Sequence, residues 1–323
     1  MNRDIGLIGP LNVDLILTGQ APLEIEELTQ WAGPSAVQLC AAGSAGYIAQ
    51  DLARFGFQVS LVSTLADDPF GDAVLRILNS SGLDTTHVSR QGGTLSGIGI
   101  YMLLFGSKKR PLTYRMPTHQ PWPKPFTDAQ RRFLLEEHRH LHCAGYLHFP
   151  ELWSGEMANI FREAKQKGLT TSLDPQFVLT PVHTPWLRPL KPILPYTDLL
   201  LLDEDEARKI TLEDDLAKAA ELLGEKGPKT VVIKCGKQGS LLYEDQRLFE
   251  CAARKVPDEE IVDSIGAGDA FDCGMIYGLL KGWNSIKSQK FATLAAASTL
   301  KGSGGTESLA PLEVLLRESA DLS

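Results

Sequence analysis

Residues 263–282 read DSIGAGDAFDCGMIYGLLKG. Gly266, Ala267 and Gly268 stand where a loop turns into a helix, and Asp269 falls in that helix's first turn. Small residues let the backbone approach an anion closely. Successive N–H groups at a helix N-terminus form a ready anion hole. A carboxylate in the first turn points toward whatever those amides hold. It is placed to take a proton from an attacking hydroxyl while the amides stabilise a transferring phosphoryl group, and phosphoryl transfer mainly needs that positioning and charge stabilisation. A glycine-rich turn with an Asp capping an ordinary helix is the plain alternative. Against it stands the glycine stripe that follows, Gly274, Gly278 and Gly282 at i, i+4 and i+8. Each mid-helix Gly costs about 1 kcal/mol relative to Ala, so the stripe predicts a buried helix pressed against another element.

Working outward, apolar β-branched runs alternate with amphipathic helical stretches. Strands are predicted at Ile5 to Gly9, Val59 to Ser63, Leu141 to Phe149, Leu169 to Asp174, Asp198 to Leu202 and Thr230 to Lys234. Helices are predicted at Ala45 to Phe55, from Asp68-Pro69 to near Gly82, and at about 153–167, 203–209 and 212–224. Strands alternating with helices imply a parallel sheet covered on both faces, a three-layer α/β/α sandwich. Two stretches, 12–41 and 95–117, carry strand-like runs with no helix between. They predict a small β-sheet lid standing off a single domain that spans 1–323. In the second, a Gly-Ser-Lys-Lys turn joins the two strands.

Composition narrows the function classes. The chain has 323 residues, 43 % apolar and 22 % charged, as expected of a globular protein with a real core. Its net charge of −8 disfavours nucleic acid as a partner. No run approaches the ~18 apolar residues of a membrane span, and the opening residues lack signal-peptide features. Five cysteines without metal-clip spacing predict reduced, mostly buried thiols in a cytoplasmic protein. There is no G-x-x-x-x-G-K-[ST], no G-x-G-x-x-G after a strand and no G-x-S-x-G. These absences count against P-loop kinases, nicotinamide dehydrogenases and α/β-hydrolases.

DSIGAGDAF resembles the second signature of the ribokinase-like (PfkB) carbohydrate kinases, and other matches follow in family order over nearly the whole chain. Gly9-Pro10-Leu11-Asn12-Val13-Asp14 resembles the opening strand with its sugar-contacting Asn-x-Asp. Ala42 to Ala49 resembles the Gly-Gly loop entering a helix, Asp67 to Gly71 the D-x-x-G element, and Val231 to Gly239 the strand and G-x-x-G nucleotide-side loop. The resemblance implies ATP and Mg2+, and a sugar-like hydroxyl as acceptor. It assigns Asp269 as base and Gly266, Ala267 and Gly268 as anion hole. It places Asn12, Asp14, Gly43, Ser44 and Tyr47 on the substrate side and Lys234, Gly236 and Gly239 on the nucleotide side. It implies Glu206, with Asp203, as organisers of Mg2+ through water, Asp263 near a K+ site, and a homodimer through paired lids.

Four departures bear on the substrate. Asp203 stands where the family has Asn, Lys234 where it has Thr, and Tyr47 where it has Asn; Asp174-Pro175-Gln176 is one methylene longer than Asp-x-Asn. The Lys234 ammonium is expected to meet a phosphate. No arginine follows Gln176 to hold the carboxylate of a ketodeoxy sugar acid. A nucleoside kinase with Tyr47, Trp31 and Tyr101 around the base is one alternative. A non-catalytic ligand-binding protein is the other. His138, His140 and His142 read as a solvated strand entry, Lys108, Lys109 and Arg110 as a basic lid tip, and Tyr101, Arg115 and His119 as candidates to face the substrate.

Overall fold

The computed structural model describes residues 3–18, 22–33, 36–102, 126–177 and 186–320, and the backbone of 112–116. Among the described residues, thirteen strands form two sheets. They are β1 (Arg3–Ile8), β2 (Asn12–Thr18), β3 (Ala36–Ala42), β4 (Val59–Ala66), β5 (Asp84–Gln91), β6 (Ile98–Met102), β7 (Leu112–Met116), β8 (His138–Ala144), β9 (Thr170–Asp174), β10 (Leu199–Asp203), β11 (Thr230–Lys234), β12 (Ser240–Glu244) and β13 (Arg247–Cys251). The helices are α1 (Ser44–Arg54), α2 (Pro69–Ser80), α3 (Asp128–Glu137), α4 (Glu156–Gln166), α5 (Leu187–Leu190), α6 (Glu204–Thr211), α7 (Leu216–Gly224), α8 (Ala267–Leu280), α9 (Ser285–Thr299) and α10 (Leu312–Ala320).

The large sheet runs β13-β12-β11-β10-β9-β8-β1-β4-β5. From β11 to β5 every pairing is parallel; the β11–β12 and β12–β13 pairings are antiparallel, so β12 alone runs against the rest of this sheet. Alternate residues of each strand feed opposite faces. Leu7, Leu61, Leu201 and Val232 pack with α1, α8 and α9, whereas Ile8, Val62, Leu200 and Ile233 pack with α4, α6 and α7. This is the predicted three-layer sandwich. The second sheet, β3-β2-β6-β7, is the predicted lid. The Gly106 to Lys109 turn, the basic tip, His119 and the Arg115 side chain lie outside the described residues.

Asp68 starts α2 as expected, accepting the Gly71 amide at 2.8 Å. The glycine stripe is half right. A Cβ on Gly274 would collide with the Ala292 backbone, and one on Gly278 with Ser288, so α8 and α9 touch backbone to backbone. Gly282 lies past the end of α8 in the left-handed region at φ +70°, with nothing within 4 Å of a Cβ. It ends the helix instead of packing it.

The histidine reading is overturned. His138, His140 and His142 lie within β8 and are buried. His140 bonds Thr170 Oγ1 and Ser172 Oγ, each at 2.8 Å, and His142 bonds Ser172 Oγ at 2.7 Å. β8 lies inside the sheet between β1 and β9, so the imidazoles of His140 and His142 meet hydroxyls on β9 instead of water, and that of His138 meets the Phe133 and Leu134 carbonyls of α3. Burial depresses them to about 3 (His140) and about 4 (His142). All five cysteines are free, and Cys40, Cys143 and Cys273 are buried.

Candidate active site

Parallel strands deliver their C-terminal ends to one edge of the sheet, where ligands of open α/β folds bind. Asp174 ends β9, Asp203 ends β10 and Lys234 ends β11, with Asp203 and Lys234 in register. The N-terminus of α8 points into the same edge. Gly266 is its N-cap at φ +73°, and a Cβ there would stand 2.9 Å from Gly305 Cα, so the turn admits only glycine. Asp263 Oδ1 accepts the Ile265 amide at 2.9 Å and fixes the approach. First-turn amides of a helix have no intrahelical partner, and those of Gly268 and Asp269 lie at this end of α8. The Ala267 amide differs, being directed to the Ser264 carbonyl at 3.3 Å.

Asp269 is half-buried. Burial, then the Asp174 carboxylate, holds its carboxyl well above the usual carboxylate range, and Lys234 pulls the other way. Lys234 is the surprise. Its ammonium is paired from within the protein: Asp272 takes it at 2.9 and 3.1 Å, and Asp174 lies at 3.5 Å. Asp272, fully buried, follows Gly268 by one helical turn. Burial opposes the lysine's charge, but Asp174, Asp272 and Glu206 outweigh it and raise its pKa well above normal. For Asp174, burial is outweighed mainly by Lys234, which keeps it below its ordinary value. Sequence reading missed Asp272, although its spacing of three from Asp269 and four from Gly268 puts all three on one helical face.

Asp203 and Glu206 form a reciprocal capping box on α6. Asp203 Oδ1 accepts the Glu206 amide and Glu206 Oε2 accepts the Asp203 amide, both at 2.8 Å. Asn and Asp are equally good caps, so the departure from Asn keeps the helix start. Glu206 is 5 % exposed and raised well above its usual range by burial, then by Asp174 and Asp203. Among the described residues no three His, Cys, Asp or Glu side chains form a metal cluster. Buried Glu206 beside Asp174 nevertheless suits Mg2+, which prefers one or two carboxylates plus water and phosphate oxygens to an all-protein cage.

The lid brings the substrate-side residues together. Asp14, 3 % exposed, accepts Tyr47 Oη at 2.8 Å on Oδ2 and Asn12 Nδ2 at 2.8 Å on Oδ1. Gly99 on β6 faces Asp14, and a side chain there would meet Oδ1 at 2.5 Å. Gly43, at φ +80°, caps α1 where any Cβ would strike the Pro10 carbonyl, and Ser44 is buried behind it. Tyr47 packs with Ile16, Cys40 and Ala42, and Tyr101 joins them from β6. Gly239, at φ +106°, lets its loop pass close to the Cys251 carbonyl, and Gly236 opens that loop beside Lys234.

A layered α/β sheet with a polar edge under a small β-lid is the ribokinase-like architecture. The ribokinase of Arabidopsis thaliana, solved with ribose and ATP, superposes with a TM-score of 0.78 at 19 % identity, covering 99 % of both chains. Residues 4–311 match the pfkB family carbohydrate kinase description, and the chain belongs to that family. It is similar to the 2-dehydro-3-deoxygluconokinase of Bacillus subtilis, 25 % identical over 85 % of each chain. It is also similar to the cytidine kinase of Thermococcus kodakarensis, 28 % identical over 74 % of this chain and 80 % of that one. As a family member the chain is an ATP-dependent phosphotransferase whose acceptor is a hydroxyl of a sugar or sugar-like molecule.

Proposed function

We propose that residues 1–323 act as one kinase domain in which Asp269 is the general base and the turn Gly266 to Gly268 is the anion hole. The acceptor lies between the lid face, at Asn12, Asp14, Gly43, Ser44 and Tyr47, and the α8 N-terminus. Asp269 removes the proton of the attacking hydroxyl. First-turn amides neutralise charge on the transferring phosphoryl group. ATP lies toward Lys234, Gly236 and Gly239. The carrying observation is the joint placement of Asp269, the Gly266 turn and the buried acidic edge under one lid.

Glu206 would hold Mg2+ through water, which when bound screens the phosphate charge. Asp203 contributes chiefly as the cap that orients Glu206. The buried Oδ2 of Asp263 makes no hydrogen bond, which supports a K+ ion beside it. Exposed Val37 and Ile25, at 59 % and 68 %, support pairing of two lids in a homodimer. Five free thiols are in keeping with a reducing, cytoplasmic setting.

A sugar is favoured over a nucleoside base. The Tyr47 hydroxyl is taken by Asp14, and its ring is closed in by Gly305, where a Cβ would stand 3.2 Å away. It forms a wall of the site and leaves no open stacking face. The non-catalytic alternative weakens because Asp203 keeps a helix cap and Lys234 is paired. The test is ADP release with Mg·ATP and K+ against sugars, sugar acids and nucleosides. Stimulation by a sugar is expected. Stimulation by nucleosides alone would move the acceptor class, and none at all would contradict the reading.

A further inference from the structure

We propose that Lys234 contacts the γ-phosphoryl group of ATP at the anion hole, and that Asp272 is the positioning residue that holds it there. This rests on the kinase reading and goes past it in naming a fixed cation and its strut. The Lys234 ammonium lies 3.9 Å from where a Cβ on Gly268 would sit. It is therefore beside the amides that receive the phosphoryl group. Its side chain keeps 15 % exposure, whereas its partner carboxylates keep 0 % (Asp272) and 3 % (Asp174). Of the three, the lysine side chain alone keeps appreciable access to the outside, and the two acids are closed off. Asp272 has no route to substrate and acts through Lys234.

The geometry also separates the two acids. Both Asp272 oxygens are within 3.1 Å of the ammonium, while the nearest Asp174 oxygen is at 3.5 Å. Asp272 grips, and Asp174 is far enough away that one N–H of the ammonium can turn from it to donate a hydrogen bond to an incoming phosphate oxygen. Stability alone does not account for the group. A buried ion pair is often no better for stability than apolar side chains of the same volume. Here the pair stands between the end of β11 and the first turns of α8, next to the base. A lysine there meets the charge that develops during transfer without any rearrangement.

The test is direct binding of Mg·ATP and Mg·ADP by titration calorimetry, which requires no acceptor. The two nucleotides differ by the γ-phosphoryl group. Lys234→Met should weaken Mg·ATP about 10- to 100-fold, the range of a charge-assisted hydrogen bond, and leave Mg·ADP within about twofold. Asp272→Asn should lower the ATP-to-ADP affinity ratio in the same direction by less. Should either single variant fail to fold because one buried charge is left unpaired, K234M/D272N removes both charges, and it should match K234M in that ratio. Equal weakening of both nucleotides, or no change in either, would overturn the Lys234 contact. A wild-type ratio in D272N would overturn the positioning role. If wild-type protein bound neither nucleotide, the kinase reading would fall and this inference with it, an outcome distinct from both others.

Discussion

The catalytic edge and the lid face are both acidic, but they handle charge in opposite ways. At the edge, Asp174, Asp269, Asp272 and Glu206 crowd the Lys234 ammonium, and burial lifts three of those carboxyls well above their ordinary range. On the lid face, Asp14 is matched by the Tyr47 hydroxyl and the Asn12 amide. The edge is left electrically unfinished, which suits the proposed binding of phosphate and metal there. The lid face is finished in advance, and as the proposed substrate side it offers a fixed shape.

The largest effect expected is on stability, just below the edge. His140 and His142 are held neutral with pKa values near 3 and 4, against about 6.5 unfolded. Below pH ~6.5 the unfolded chain takes up protons that the folded chain refuses. Stability should therefore be full above that pH and fall toward pH 4, by a few kcal/mol for the pair. Urea midpoints between pH 7 and 5 check this, and His140→Gln/His142→Gln should flatten the profile. An equally steep profile in that variant would place the acid sensitivity elsewhere.

Next in size is the lid. Asp14→Ala leaves the Tyr47 hydroxyl and Asn12 without their acceptor, and kcat/KM for the sugar should drop about 10- to 100-fold with KM for ATP unchanged. Tyr47→Phe removes one donor and should cost several-fold, again on the sugar side. A loss in ATP KM from either change would erase the distinction between the two regions. The smallest effect concerns pH. As the proposed base Asp269 would have to be deprotonated, and its pKa is raised, so activity should fall with acid at a pH above the ordinary ~3.9 of Asp. Asp174 helps raise it, so Asp174→Asn should move that acid limb downward in a kcat/KM profile.

The sequence made the α/β alternation and the lid readable because burial imposes clear periods on strands and helices. It also exposed Gly266, Gly268 and Asp269, since small residues and a carboxylate at a helix start have a local reason. Partnerships between distant elements were hidden. Lys234 and Asp272 are 38 residues apart and meet only because β11 ends against α8. His140 and His142 look like a polar strand entry until β1 and β9 enclose β8. Gly282 shared a spacing with Gly274 and Gly278 but not their role, because the helix ends at Leu280.

The central claim is that Asp269 takes the acceptor proton. The direct measurement is kcat of Asp269→Asn against wild type, with saturating Mg·ATP and the sugar that stimulates ADP release. The account predicts a fall of at least 10²- to 10⁴-fold, the usual contribution of a general base, with nucleotide affinity kept. Turnover within a few-fold of wild type would contradict it.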